Sequence, residues 1–87
     1  MSESIYSAEY AVVIAMLRGA RVGAGVTQRT IADRLSRSQS YVSKCERGER
    51  RLDVVELRAF CVALDVSFPD FVETLDRTLS AKPEPSV

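Results

Sequence analysis

The sequence predicts an all-α domain of five helices. Three observations carry that reading. Apolar residues recur at spacings of three and four between Ala8 and Leu79 rather than at two. Residues that favour helix N-caps (Thr27, Ser38, Asp53, Ser67) stand directly ahead of such stretches, and the breaks between them are short and polar. At 87 residues the chain holds one domain, near the lower size at which a single core folds unaided. The expected domain is 1–79, followed by a disordered proline-rich tail over 80–87.

Residues 1–7 carry no periodic signal, though Ile5 and Tyr6 are apolar enough to dock, on this subunit or on a second one. From Ala8, the residues Tyr10, Val13, Ile14, Leu17 and Arg21 follow the pattern of a helix with one buried stripe, which Gly25 ends. Gly19 and Gly23 inside it each cost about 1 kcal/mol relative to alanine. The cation Arg21 shares the phase of the apolar stripe, an unusual place for a charge.

Thr27 is a suitable N-cap for a second helix whose Ile31, Ala32 and Leu35 share a face. Ser36-Arg37-Ser38 breaks the periodicity. Ser38 can accept the first free N–H groups of a third helix from Gln39, and Gly48 suits the left-handed residue that ends it. At 100° per residue, Val42 and Cys45 fall on one side of this third helix, flanked by Tyr41 and Glu46. Gln39, Ser40, Ser43, Lys44 and Arg47 share the other, with no large apolar residue among them. Amide, hydroxyl and ammonium groups on one short helix suit the major groove of DNA. There glutamine pairs with an adenine edge, lysine with guanine, and serine with a base or a phosphate.

Asp53 with Glu56 three residues on is an acidic form of the capping box and starts a fourth helix, with Leu57, Phe60, Cys61 and Leu64 inward. Ser67 caps a fifth, which tolerates Pro69 in its first turn. Phe68, Phe71, Val72, Leu75 and Leu79 then recur at helical spacing. That stripe is rich for so small a chain, and its outer end, Val72, Leu75 and Leu79, is left for a second subunit.

The formal charge is zero, but its distribution is not even. Residues 18–51 hold nine cations against three anions, a balance of +6, whereas residues 1–17 carry −2 and residues 52–87 carry −4. Such a chain can turn its basic side to phosphates. Cys45 and Cys61 are expected inside as free thiols in a reducing compartment, and with no histidine neither a zinc site nor any other cofactor is expected. No apolar run approaches the roughly 20 residues of a membrane span, and the N-terminus lacks a basic region followed by an apolar one, so the expected location is the cytoplasm. An enzyme is disfavoured: no proton-transfer histidine, nucleophile, phosphate loop or paired carboxylates stand at a usable spacing.

Thr27-Gln28, Ile31-Ala32, Leu35, Ser38-Gln39, Val42-Ser43-Lys44 and Glu46-Arg47-Gly48, continuing through Leu57, Ala63-Leu64 and Val66-Ser67, resemble the Cro and repressor type (XRE-like) helix-turn-helix family of transcription regulators. The resemblance covers roughly residues 13–72 and implies a lambda-repressor-like DNA-binding domain with the helix-turn-helix as helices 2 and 3. It also implies that Arg21 and Glu46 form a partly buried, bidentate ion pair between helices 1 and 3. The loop bearing Arg50 and Arg51 is expected to meet the DNA backbone. Ser36 and Asp65 replace the family's usual glycines, so both are expected at φ > 0, with a modest loss of stability. Cys45 stands where a larger aliphatic residue is usual.

The sequence thus points to a regulator that binds duplex DNA as a homodimer on a palindromic operator. Gln39, Ser40 and Lys44 would read bases, and Gln28, Arg37, Ser38, Tyr41, Ser43, Arg50 and Arg51 would hold phosphates. The alternative is an adaptor or antitoxin-like subunit that uses the same fold to bind a protein partner.

Overall fold

A computed structural model describes residues 7–81. It contains five helices: α1 (Ala8–Gly23), α2 (Gln28–Leu35), α3 (Gln39–Glu46), α4 (Val54–Ala63) and α5 (Phe68–Ser80). No strand occurs among the described residues. Ile5, Tyr6 and the tail beyond Ala81 lie outside them, and α5 itself runs one residue past the expected end of the domain at 79.

Every helix starts from a side chain that accepts a backbone N–H three residues on: Ser7, Thr27, Ser38, Asp53 and Ser67. At α4 the cap is reciprocal, because Glu56 Oε1 accepts from the Asp53 N–H at 2.9 Å while Asp53 Oδ1 accepts from the Glu56 N–H at 2.7 Å. Four helices also end alike. A residue at positive φ turns the chain, and the next N–H bonds back to a carbonyl five residues earlier: Val26 to Arg21, Arg37 to Ala32, Glu49 to Lys44, and Val66 to Cys61. The turning residues are Gly25, Ser36, Gly48 and Asp65, with φ of 72°, 57°, 78° and 61°. Ser36 and Asp65 therefore hold the left-handed conformation that their positions imposed on the sequence reading.

The core gathers one or two residues from each helix: Leu17 of α1, Ile31 and Ala32 of α2, Val42 and Cys45 of α3, Phe60 and Cys61 of α4, and Phe71 of α5, with Leu64 behind α4. Covering each of the larger side chains is worth roughly 1.5–3 kcal/mol. Both cysteines are free thiols within this core, and burial pushes each above its ordinary pKa of 9.0. α2 and α3 make the most extensive helix contact and both also touch other helices, so α3 is held from behind by α1 and α2. No single helix among the described residues is long and apolar enough to cross a membrane.

Candidate nucleic-acid interface

α3 owes its position to the two sides of its own sequence. Val42 and Cys45 are fully buried and fix its back. Gln39, Ser40 and Lys44, on the opposite side, are exposed and make no side-chain hydrogen bond or ion pair among the described residues. Their polar groups are therefore unspent.

The other end of α3 is locked by charge. Arg21 Nε donates to Glu46 Oε2 at 2.6 Å and its Nη2 to Glu46 Oε1 at 3.0 Å, with side chains 12% and 4% exposed. The two parallel bonds match the planar guanidinium to the carboxylate, and they raise the Arg21 guanidinium further above its ordinary range. Arg21 Nη1 also donates to the carbonyl of Val26 at 2.8 Å, which ties the α1–α2 turn to the same group. A second donor reaches the carboxylate from α2: Gln28 Nε2 lies 3.0 Å from Glu46 Oε1. Arg18, largely exposed, stands 3.9 Å away. Glu46 thus ties two helices, α1 and α2, to the C-terminal end of α3.

The residues assigned to phosphate are not equally available. Arg37 is exposed in the α2–α3 turn with its guanidinium 4.2 Å over the ring of Tyr41. Tyr41 is half-buried and stacks on Phe60 at 6.2 Å between ring centroids. Burial is the main reason its phenol is raised above 10.0, so it stays a donor. Ser38 spends its acceptor on the N–H of Tyr41 and retains its O–H as a donor. Ser43 accepts from the guanidinium of Arg47, which also grips Glu49 with two bonds of 2.9 and 3.2 Å and holds that carboxyl below its ordinary range.

Gln28 keeps one amide hydrogen after bonding Glu46. Arg50 is more committed. Its Nη2 donates to Glu56 Oε2 at 2.8 Å, its Nη1 to the carbonyl of Arg51 at 2.9 Å, and its guanidinium lies 5.1 Å from the Tyr41 ring. Arg51 is exposed, with its guanidinium 4.5 Å over Tyr10. The Tyr10 hydroxyl in turn accepts from the Leu52 N–H at 2.9 Å and fixes the start of the loop into α4.

Helical spacing pointed to the α3 face, but no periodic signal exposes Gln28–Glu46 or Arg50–Glu56. Both join residues on different elements, and only the fold brings them together. On α5, Val72 is exposed and Leu75 and Leu79 are half-buried.

Comparison with known proteins agrees with this architecture. The model of a helix-turn-helix domain family matches residues 9–75. No curated protein matches the chain. Among solved structures, the chain is similar to an XRE-family like protein from Pseudomonas syringae pv. tomato str. DC3000, at 41% identity and a TM-score of 0.79, over 82% of this chain and 87% of that one. It is also similar to the restriction-modification controller protein C.Esp1396I (26% identity, TM-score 0.77, 87% of this chain and all of that one). That protein has been solved as a tetramer in complex with its natural 35 base-pair operator. A third relative is the clp gene regulator ClgR from C. glutamicum (27% identity, TM-score 0.74, 88% of this chain and all of that one). The chain belongs to the XRE-like family of helix-turn-helix regulators.

Proposed function

We propose that the protein is a sequence-specific transcription regulator that lays α3 in the major groove of duplex DNA. The observation that carries this reading is the exposed, unspent set Gln39, Ser40 and Lys44 on a helix whose back is pinned by Val42, Cys45 and the Glu46 carboxylate. Those three residues read base edges. Arg37, Ser38, Tyr41, Ser43 and Arg51, with the remaining amide hydrogen of Gln28, hold phosphates around them. Arg50 joins them once a phosphate displaces Glu56. Arg29, Arg34, Arg37 and Lys44 are exposed without a carboxylate partner among the described residues, which favours an anionic partner.

One helix of eight residues reaches only a few base pairs, so two copies on a two-fold symmetric operator are the economical arrangement, joined through Val72, Leu75 and Leu79. The operator complex solved for C.Esp1396I supports DNA as the ligand. A cytoplasmic location follows from that ligand. Selection of bound sites from a random duplex pool tests the reading. A palindromic consensus is expected, and recovery of no enriched sequence would overturn sequence-specific binding. An adaptor that binds only protein would instead show no salt-dependent shift of random duplex.

A further inference from the structure

We infer that Tyr10 of α1 is a positioning residue for DNA binding: its hydroxyl fixes the backbone at Arg51 and its ring fixes the guanidinium, so that Arg51 meets a phosphate already aimed. The inference rests on the DNA-binding reading and adds to it a residue from outside the helix-turn-helix.

The loop between α3 and α4 carries Arg50 and Arg51, and its backbone is held from both ends. The N–H groups of Glu49 and Arg50 donate to the carbonyl of Lys44 at 2.9 and 3.2 Å, and the Asp53 N–H donates to Glu56 Oε1 at 2.9 Å. Between these anchors lies the peptide that joins Arg51 to Leu52. Its N–H donates to the Tyr10 hydroxyl at 2.9 Å, while its carbonyl accepts from Arg50 Nη1 at 2.9 Å. The Arg50 bond is open to competition, because the same guanidinium turns to a phosphate when DNA displaces Glu56. Tyr10 supplies the anchor that DNA leaves in place.

The ring acts on the side chain. The Arg51 guanidinium lies 4.5 Å over Tyr10, with the arginine exposed and the tyrosine half-buried. A guanidinium laid flat on an aromatic face is attracted to the ring and keeps its N–H edges outward, in the plane that grips a phosphate. A long arginine side chain loses rotamer freedom when it closes on a phosphate, and a ring that already restricts it reduces that loss. Arg37 lies over Tyr41 in the same way at 4.2 Å, but Tyr41 belongs to α3 itself. Tyr10 reaches the interface from 42 positions before Leu52.

α1 is well placed to bear this load. The Tyr10 N–H donates to Ser7 Oγ at 3.1 Å, so the cap of α1 sets the residue. About three turns along the same helix, roughly 16 Å away, Arg21 grips Glu46 at the end of α3. One helix thus braces both α3 and the loop that follows it.

Fluorescence anisotropy of the full chain on random and selected duplexes across a salt series tests this, with urea denaturation showing that each variant is folded in the assay. Tyr10→Leu keeps an apolar side chain but loses ring and hydroxyl, and is expected to weaken every duplex by roughly two- to fivefold without relaxing the consensus. Arg51→Ala should also weaken all duplexes alike and lower the slope of log affinity against log salt by about one. In the Arg51→Ala background, Tyr10→Leu should cost little further affinity, whereas a purely structural role would cost the same factor in both backgrounds. Tyr10→Phe keeps the ring and should show a smaller loss that likewise vanishes with Arg51→Ala, which gives the same comparison should Tyr10→Leu fail to fold. A loss that persists undiminished without Arg51, or an Arg51→Ala variant that binds as the wild type does, overturns the inference and leaves the DNA-binding reading standing. A wild-type chain with no salt-dependent binding to any duplex overturns both.

Discussion

Arg21 and Glu46, 25 positions apart in the chain, meet in two parallel hydrogen bonds of 2.6 and 3.0 Å at the junction of α1 and α3. The pair is almost wholly shielded from water, so its worth lies in the cost of breaking one side. Arg21→Met should leave the buried Glu46 carboxylate with only the Gln28 amide and the more distant Arg18 and lower stability by up to roughly 3–5 kcal/mol in urea denaturation, and Glu46→Met should leave the guanidinium with only the Val26 carbonyl at a similar cost. The double variant Arg21→Met/Glu46→Met should lose far less than the two singles added together. Additive losses would mean that the two charges do not depend on each other.

Base reading and phosphate holding separate by their salt and sequence dependence. Lys44→Ala should lower affinity for the selected site by roughly 1–3 kcal/mol and relax one base position. Arg37→Ala should weaken all duplexes alike and reduce the slope of log affinity against log salt by about one. Quantitative mobility shifts across a salt series check both, and an equal loss on every sequence would reassign Lys44 to the backbone.

Glu56 both caps α4 and holds Arg50, through different oxygens. Glutamine can serve the cap as well as glutamate, but it carries no charge to oppose a phosphate. Glu56→Gln is therefore expected to fold normally, bind random duplex more tightly and steepen the salt dependence. Unchanged binding to random duplex would show that Arg50 does not reach the backbone.

Burial raises the thiols of Cys45 and Cys61 above their ordinary value, and burial likewise raises the phenol of Tyr41. Above about pH 8.5 the unfolded chain gives up thiol protons that the native state retains. These groups contribute fully at lower pH, and their contribution falls as pH rises through the alkaline range. Urea midpoints should decline from about pH 8.5 upward, and Cys45→Ala/Cys61→Ala, though less stable at neutral pH, should show a shallower decline.

Ser36 and Asp65 occupy left-handed positions that favour glycine. The relief of strain outweighs glycine's greater chain entropy, so Ser36→Gly and Asp65→Gly should each stabilise the protein by about 0.5–1 kcal/mol. Thermal melts would show this as a rise of a few degrees for each, whereas a fall would mean that the serine or aspartate side chain makes up the strain.

Much of this molecule was written in one dimension. The caps Thr27, Ser38, Asp53 and Ser67, the turn at Gly48 and the split faces of α3 all depend on residues a few positions apart, so periodicity and turn chemistry reveal them, whereas the positive φ of Ser36 and Asp65 was implied by the resemblance to the family. What the chain order does not encode is which partner each charge finds. Gln28 is shared between a helix start and Glu46, and Arg50 is held by Glu56 across a loop. The Tyr10 hydroxyl meets a backbone N–H 42 residues away. Those bonds exist only after the core of Leu17, Ile31, Val42, Cys45 and Phe60 has fixed the helices against one another, because hydrogen bonds act over about 3 Å and local sequence cannot specify distances that long-range packing sets.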